Sequence, residues 1–352
     1  MNGWRSLLNK NSTDWLLEKN NPSVRYLTLT QLLEKDENES DVIEAKSAIS
    51  EYTSVKRIFS KQREEGYWEN SNTPYIPKYK STYWQIMILS QLGLSKENEK
   101  VRKACEFAFR FQHKDGGFTV FKEEGAMKEY SWWKKRQEEK GKPVPPFDNW
   151  SKGIIKENEL TCLTGNLVAS FLRVGYKDDQ RIKKAVQWLI NIQNSDGGWL
   201  CPYWRAHIKD KHSCFVGTIA PLDALSEIPE DQRIDEMKKC IEKGAEFFLM
   251  HRLYKADHHN FEVINPYWLN FNFPVFWYDI LRGLLVLTKL AYARDERIQD
   301  AANILFKKQT RDGRWNLDKT PGGRMHASFG KVGEPNKWVT LNVLRVLRRI
   351  YQ

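Results

Sequence analysis

Lys183–Trp199 reads KKAVQWLINIQNSDGGW, and this stretch decides the fold. Ala185, Trp188, Leu189 and Ile192 recur at helical spacing, so the segment is an amphipathic helix with one apolar face. Gln193 ends it, and Asp196-Gly197 supplies a stop, because glycine accepts the left-handed conformation at a helix C-terminus. Trp199 follows two residues after Gly197 and can fold back onto the helix end. The glutamine amide can bond backbone groups of a neighbouring turn.

The same sentence is written three more times. SVKRIFSKQREEGYW (Ser54–Trp68), KACEFAFRFQHKDGGF (Lys103–Phe118) and DAANILFKKQTRDGRW (Asp300–Trp315) each place a glycine four residues after a glutamine and an aromatic two further on. The glutamines are Gln62, Gln112, Gln193 and Gln309, and the glycines are Gly66, Gly116, Gly197 and Gly313. Self-similarity at this scale marks a repeat architecture. The glycines lie 50, 81 and 116 residues apart. The last interval is about two repeats, so a degenerate copy is expected at Lys243–Leu253, where Ala245, Phe248 and Leu249 keep the spacing without the glycine. The middle interval carries an insertion, roughly residues 119–156, rich in charge, Pro and Trp, and reads as a rim loop or lid.

Between the motifs run helices apolar nearly all round, such as ELTCLTGNLVASFLRVGY and FPVFWYDILRGLLVLTKLAY, and such helices are buried. Apolar helices therefore alternate with amphipathic basic ones. The expected fold is a single all-α domain, an αα-barrel with about six inner and five to six outer helices. An open solenoid is the alternative. The segment Trp4–Glu18 would help close the ring.

Composition bounds the function. Lys and Arg total 56 against 45 Asp and Glu, a net charge of +11 spread along the helices as a solvated basic surface. Zinc-finger and RNA-binding signatures are absent, so nucleic acid is not an expected partner. Five cysteines without framework spacing argue against a disulfide scaffold. The N-terminal stretch is broken by Arg5, Lys10, Asp14 and Glu18 and does not read as a signal peptide; with no transmembrane-length run, a cytoplasmic monomer or homodimer is expected, with peripheral membrane contact left open.

Glutamine, glycine and tryptophan at these offsets resemble the repeat of squalene–hopene cyclases and protein prenyltransferase β subunits, over roughly residues 20–352. The resemblance implies an αα-toroid and a terpenoid-cyclase-like or prenyltransferase-like activity, while the fold hosts several functions. Its protonating Asp-x-Asp-Asp motif is missing. The nearest string is Tyr176-Lys177-Asp178-Asp179, which reads as a helix start. A prenyltransferase zinc site would take a cysteine at Cys162 and a histidine at His212, but the family aspartate is replaced by Leu160, with Glu159 out of register. Cys201, His207 and Cys214 fall in the same segment, CPYWRAHIKDKHSC. Thiolates and imidazoles suit zinc, so the expected metal set is Cys162, Cys201, His212 and Cys214, with His207 in reserve. Cys105 and Cys240 read as core residues.

The cofactor is then zinc and the ligand an isoprenoid diphosphate in the central cavity. Lys78, Lys80, Arg282, Arg324 and Lys337 are the candidate diphosphate contacts, and Tyr267, Trp268 and Trp277 the candidate aromatic lining. Asp279, an acid in an apolar helix, needs a partner, for which Arg282 is the nearest cation, and is the one candidate catalytic acid. The alternatives are a non-catalytic scaffold with a structural zinc and a divergent terpene cyclase.

Overall fold

The structure is a computed structural model describing residues 3–352. Fifteen α-helices lie among the described residues: α1 Thr13–Leu16, α2 Pro22–Leu27, α3 Ser40–Ala48, α4 Thr53–Phe59, α5 Thr82–Gln91, α6 Glu99–Phe109, α7 Glu123–Glu138, α8 Phe147–Glu157, α9 Thr161–Arg173, α10 Gln180–Asn191, α11 Phe215–Ser226, α12 Asp235–Met250, α13 Ile280–Lys289, α14 Gln299–Lys307 and α15 Lys337–Tyr351. Only isolated β-bridges occur among the described residues.

The helices form an αα-toroid. α5, α9, α11, α13, α15 and α2 pack in succession, and Gly93 beyond α5 lies against Tyr26 of α2, completing an inner ring of six. α3, α6, α10, α12 and α14 pack outside α2, α5, α9, α11 and α13 respectively, and α1 lies outside α15. Thr28–Leu32 extends α2 by a π turn. No helix among the described residues is long and apolar enough to cross a membrane.

The repeated motif is the joint between neighbouring outer helices. Gln112 Nε2 donates to Gly116 O at 2.9 Å and to Arg181 O in α10 at 2.8 Å, and Gln193 Nε2 donates to Gly197 O at 2.7 Å and Cys240 O in α12 at 2.9 Å. Gly66, Gly116 and Gly197 all have positive φ, and a Cβ on any of them would lie 2.6 Å or less from a backbone carbonyl oxygen of the next outer helix. Only glycine meets both conditions. Gly313 makes the corresponding contact with Lys10, and Ser12 Oγ donates to Gly313 O at 2.7 Å, so the N-terminal segment closes the ring.

Trp68, Phe118, Trp199 and Trp315 are fully buried. Each indole Nε1 donates to the carbonyl ten residues earlier, at 2.8, 2.8 and 2.7 Å. A ring of this size removes 150–250 Å² from water, worth about 4–6 kcal/mol at the usual transfer coefficient. The backbone N–H of each aromatic donates to a threonine in the first turn of an inner helix, Thr82, Thr164, Thr218 or Thr340, at 2.9–3.1 Å.

The degenerate copy lies in the outer ring as α12 and its C-terminal turn, but its joint is ionic. Leu253 takes positive φ (69°), and Arg252 and Lys255 reach Asp300 in α14 at 3.1 and 2.7 Å. The stretch expected as an insertion, 119–156, carries a helical hairpin of α7 and α8, joined by Tyr130, Trp133, Phe147 and Trp150.

Candidate functional site

Each staple delivers its aromatic to the rim where the inner helices begin, so the residues just after it reach the mouth of the ring. Cys201 follows Trp199 by two. Thr161 Oγ1 at the start of α9 donates to Leu200 O at 2.5 Å, fixing that loop beneath α9. Cys162, the second residue of α9, thus comes within 4.0 Å of Cys201, sulfur to sulfur. The Cys162 thiol bonds toward Cys201, which holds the Cys201 thiol well below its ordinary range while Cys162 is pushed up. His207 also favours the Cys201 thiolate, and its buried Nδ1 has no hydrogen-bond partner.

Cys214 is the N-cap of α11, its sulfur accepting from Gly217 N at 3.1 Å. All five cysteines are free, and Cys105 and Cys240 are buried in the core. His212 is exposed, so of the two histidines in the segment it is His207 that turns toward the thiols. The segment 203–212 is a run of turns without periodicity, and nothing in its spacing distinguishes the two rings.

Across the mouth lies a basic and aromatic group. Tyr75 joins the two sides: its hydroxyl is pushed up by burial, and by the nearby Cys162. Lys78 Nζ sits 5.7 Å above the Tyr75 ring and 5.3 Å above Trp277, whose Nε1 donates to Tyr79 Oη at 2.8 Å. The Arg324 guanidinium lies 5.2 Å above Tyr79. Lys78, Trp277 and Arg324 therefore meet at one place. Lys80 contributes its carbonyl, bonded to His326 at 3.1 Å. Tyr267 is exposed under Lys319, and Trp268 stacks on Phe215 at 4.2 Å.

Lys337 and Arg282 are elsewhere. Lys337 pairs with Glu18 at 2.8 Å on the α1 side, drawn there by a carboxylate remote in sequence. Arg282 points into the lumen. Its guanidinium donates to Phe276 O at 2.6 Å, Asn166 Oδ1 at 2.7 Å and Asp223 Oδ2 at 2.9 Å. Phe276, at a φ of 66°, is buried against Trp84 and Tyr75 (ring centroids 4.9 and 6.0 Å), between the aromatics of the mouth and Arg282, which bonds its carbonyl.

Asp279 bonds to Arg282 through the backbone N–H at 2.8 Å, as the N-cap of α13. The expected side-chain pair is absent because Asp223 takes the guanidinium. Burial pushes the Asp279 carboxyl up to about 6. Asp179 likewise caps α10, accepting from Arg181 N at 2.8 Å.

His113, Asp115 and Glu159 form the one group of carboxylate, thiol or imidazole ligands drawn within 4.8 Å of one another among the described residues. Lys156 Nζ stands between the two acids, 2.6 Å from Asp115 and 2.7 Å from Glu159, so this cluster carries its own cation. Burial pushes Glu159 up to about 7. In the next repeat Asp196 accepts from Ser213 Oγ at 2.7 Å, and Glu159 stands where that serine stands.

No family model matches the chain, and no curated protein matches it. Solved structures similar to it include a protein from Actinoplanes (16% identity, 95% of this chain and 89% of that one, TM-score 0.46). The type II terpene cyclase MstE from Scytonema is similar too, both apo (16% identity, 94% and 86% covered, TM-score 0.46) and as a variant with its substrate geranylgeranyl dihydroxybenzoate (16% identity, 94% and 87% covered, TM-score 0.45). Likeness at this level says nothing of activity, and the toroid stands on the helix contacts described above.

Proposed function

We propose that the mouth of the inner ring is a zinc–thiolate site at which this protein binds and transforms a prenyl diphosphate. The observation that carries the reading is the meeting, through Tyr75, of the Cys162–Cys201 pair on one side with Lys78 and Arg324 on the other.

The spacing of the two sulfurs supports zinc. Two thiolates on a tetrahedral zinc with bonds of about 2.3 Å stand about 3.8 Å apart, close to the 4.0 Å between Cys162 and Cys201. A ring nitrogen of His207 would be the third donor, brought in by a shift of its loop, since His207 does not lie within 4.8 Å of both sulfurs. Cys214, whose sulfur accepts from Gly217 N in the first turn of α11, stays outside this set, and substrate would take the remaining place. Zinc there supplies a Lewis acid. Lys78 and Arg324 hold the diphosphate oxygens by charge-assisted hydrogen bonds, and the prenyl chain lies among Tyr75, Tyr79, Trp84 and Trp277 once Phe276 gives way.

A second reading is a binding toroid with a structural zinc. It is favoured if Cys214 turns to complete three thiolates and one imidazole, a saturated set. A protonating cyclase would depend on Asp279, whose carboxylate caps α13.

The test is metal analysis of the purified protein, with calorimetric titration of farnesyl diphosphate. One zinc per chain is expected, lost in Cys201→Ala with helicity retained. Lys78→Ala and Arg324→Ala are each expected to weaken binding roughly tenfold. Absence of zinc refutes the metal, and zinc without diphosphate binding establishes the second reading.

A further inference from the structure

Beneath Phe276 the lumen continues as a cavity of about 350 Å³, bounded by Arg173, Asp223, Arg282, Lys289 and Arg345 and reaching Lys46 and Glu37 where the inner helices end. Its wall is ionic. Asp223 is shared by Arg173 and by Arg282 at 2.9 Å, and Glu227 by Arg173 at 2.8 Å and Lys289 at 2.6 Å. Burial alone would push Asp223 up, but Arg173 and Arg282 more than reverse this and hold it at about 2. Both carboxylates are therefore ionised and fully engaged.

Arg345 of α15 is the remaining cation, and it has no carboxylate. Its Nη1 donates to Asn342 Oδ1 at 3.0 Å, its Nε is buried without a partner, and no salt bridge reaches it among the described residues. Four lumen cations thus face two carboxylates. Helix C-termini offset about half a charge each, but that effect fades within the last turn, and Arg345 lies six residues before Tyr351, the end of α15. Burial, with Arg349 adding to it, pushes the Arg345 guanidinium down to about 9. An anion beside it would reverse that penalty.

We propose that the lumen binds a compact oxyanion, a small carboxylate or phosphate ester, held by Arg345 and admitted from the side where the inner helices end. The volume lies at the small end of ligand cavities, and the desolvated charges around it exclude an isoprenoid chain. The inference is independent of the mouth, which lies on the far side of Phe276.

Thermal unfolding of the full chain, in inorganic phosphate or succinate against potassium chloride at equal ionic strength, tests it. The wild type is expected to gain Tm saturably in at least one of the two, and which one names the ligand class. Arg345→Met should lose that response while keeping or raising its starting Tm. Lys78→Ala should respond as the wild type, which separates this site from the mouth. Should Arg345→Met not fold, Arg345→Lys serves, with an expected affinity loss of about tenfold from the lost guanidinium fork. A wild type indifferent to both anions, or an Arg345 variant responding as the wild type does, overturns the proposal.

Discussion

Replacing Gly197 by alanine should destabilise this protein far more than the same change at Gly175, although both glycines have positive φ (88° and 103°). At Gly175 the added methyl would meet nothing closer than the flexible Lys96 side chain at 3.6 Å. The cost there is the left-handed strain, about 1–2 kcal/mol, less about 0.4–1 kcal/mol regained by stiffening the unfolded chain. At Gly197 the methyl would lie 2.4 Å from Lys243 O in α12. Helix or turn must shift by nearly an ångström, at about 1–3 kcal/mol for overpacking. The shift also disturbs both Gln193 bonds, to Gly197 O at 2.7 Å and Cys240 O at 2.9 Å, at about 1 kcal/mol each. Gly197→Ala is therefore expected to cost about 3–5 kcal/mol more than Gly175→Ala in urea unfolding with unchanged m-value. Gly313→Ala, whose methyl would lie 1.8 Å from Lys10 O, should cost at least as much as Gly197→Ala. Equal losses at Gly175 and Gly197, within about 0.5 kcal/mol, would show that the staple glycines serve conformation alone and that the close helix approach is irrelevant.

Two further outcomes follow from buried acids. Asp279 has its carboxyl raised from 3.8 to about 6, so the wild type should lose stability as pH climbs from 4 to 6 and level off above about 7. Asp279→Asn keeps the cap without the charge and should be more stable at pH 8, by up to about 3 kcal/mol, with the difference vanishing at pH 4; a constant offset at both pH values in urea melts contradicts this. Asp223→Asn removes the charge shared by Arg173 and Arg282 and turns an NH2 toward one of them, and should cost about 3–5 kcal/mol in the same assay, whereas a loss below 1 kcal/mol would mean that the lumen ions are not coupled.

The ring was readable because each staple is local: glutamine, glycine and aromatic sit at fixed offsets and act on backbone. Their threonine partners escaped the same reading, since Thr82, Thr164, Thr218 and Thr340 follow the aromatics by 14, 46, 19 and 25 residues. Loop length scrambles that spacing while geometry preserves it. Cys201 is locatable from its offset to Trp199 and Cys162 from the resemblance, but the choice between His207 and His212 depends on an aperiodic loop. Arg282 reads as a mouth residue because it stands at the start of an inner helix, and Asp223 draws it inward. That acid was itself visible, a lone charge in the apolar string FVGTIAPLDALS, and the argument applied to Asp279 would have flagged it.

Arg282 holds the carbonyl of Phe276 with one nitrogen and the carboxylate of Asp223 with the other. A single guanidinium thus joins Phe276 to the charge of the lumen. Any occupant of the lumen that re-aims Arg282 alters the hold on Phe276. By thermodynamic reciprocity, whatever lifts Phe276 alters the affinity below by the same factor. The lumen and the mouth are separate as binding places, yet one side chain is bonded to the walls of both.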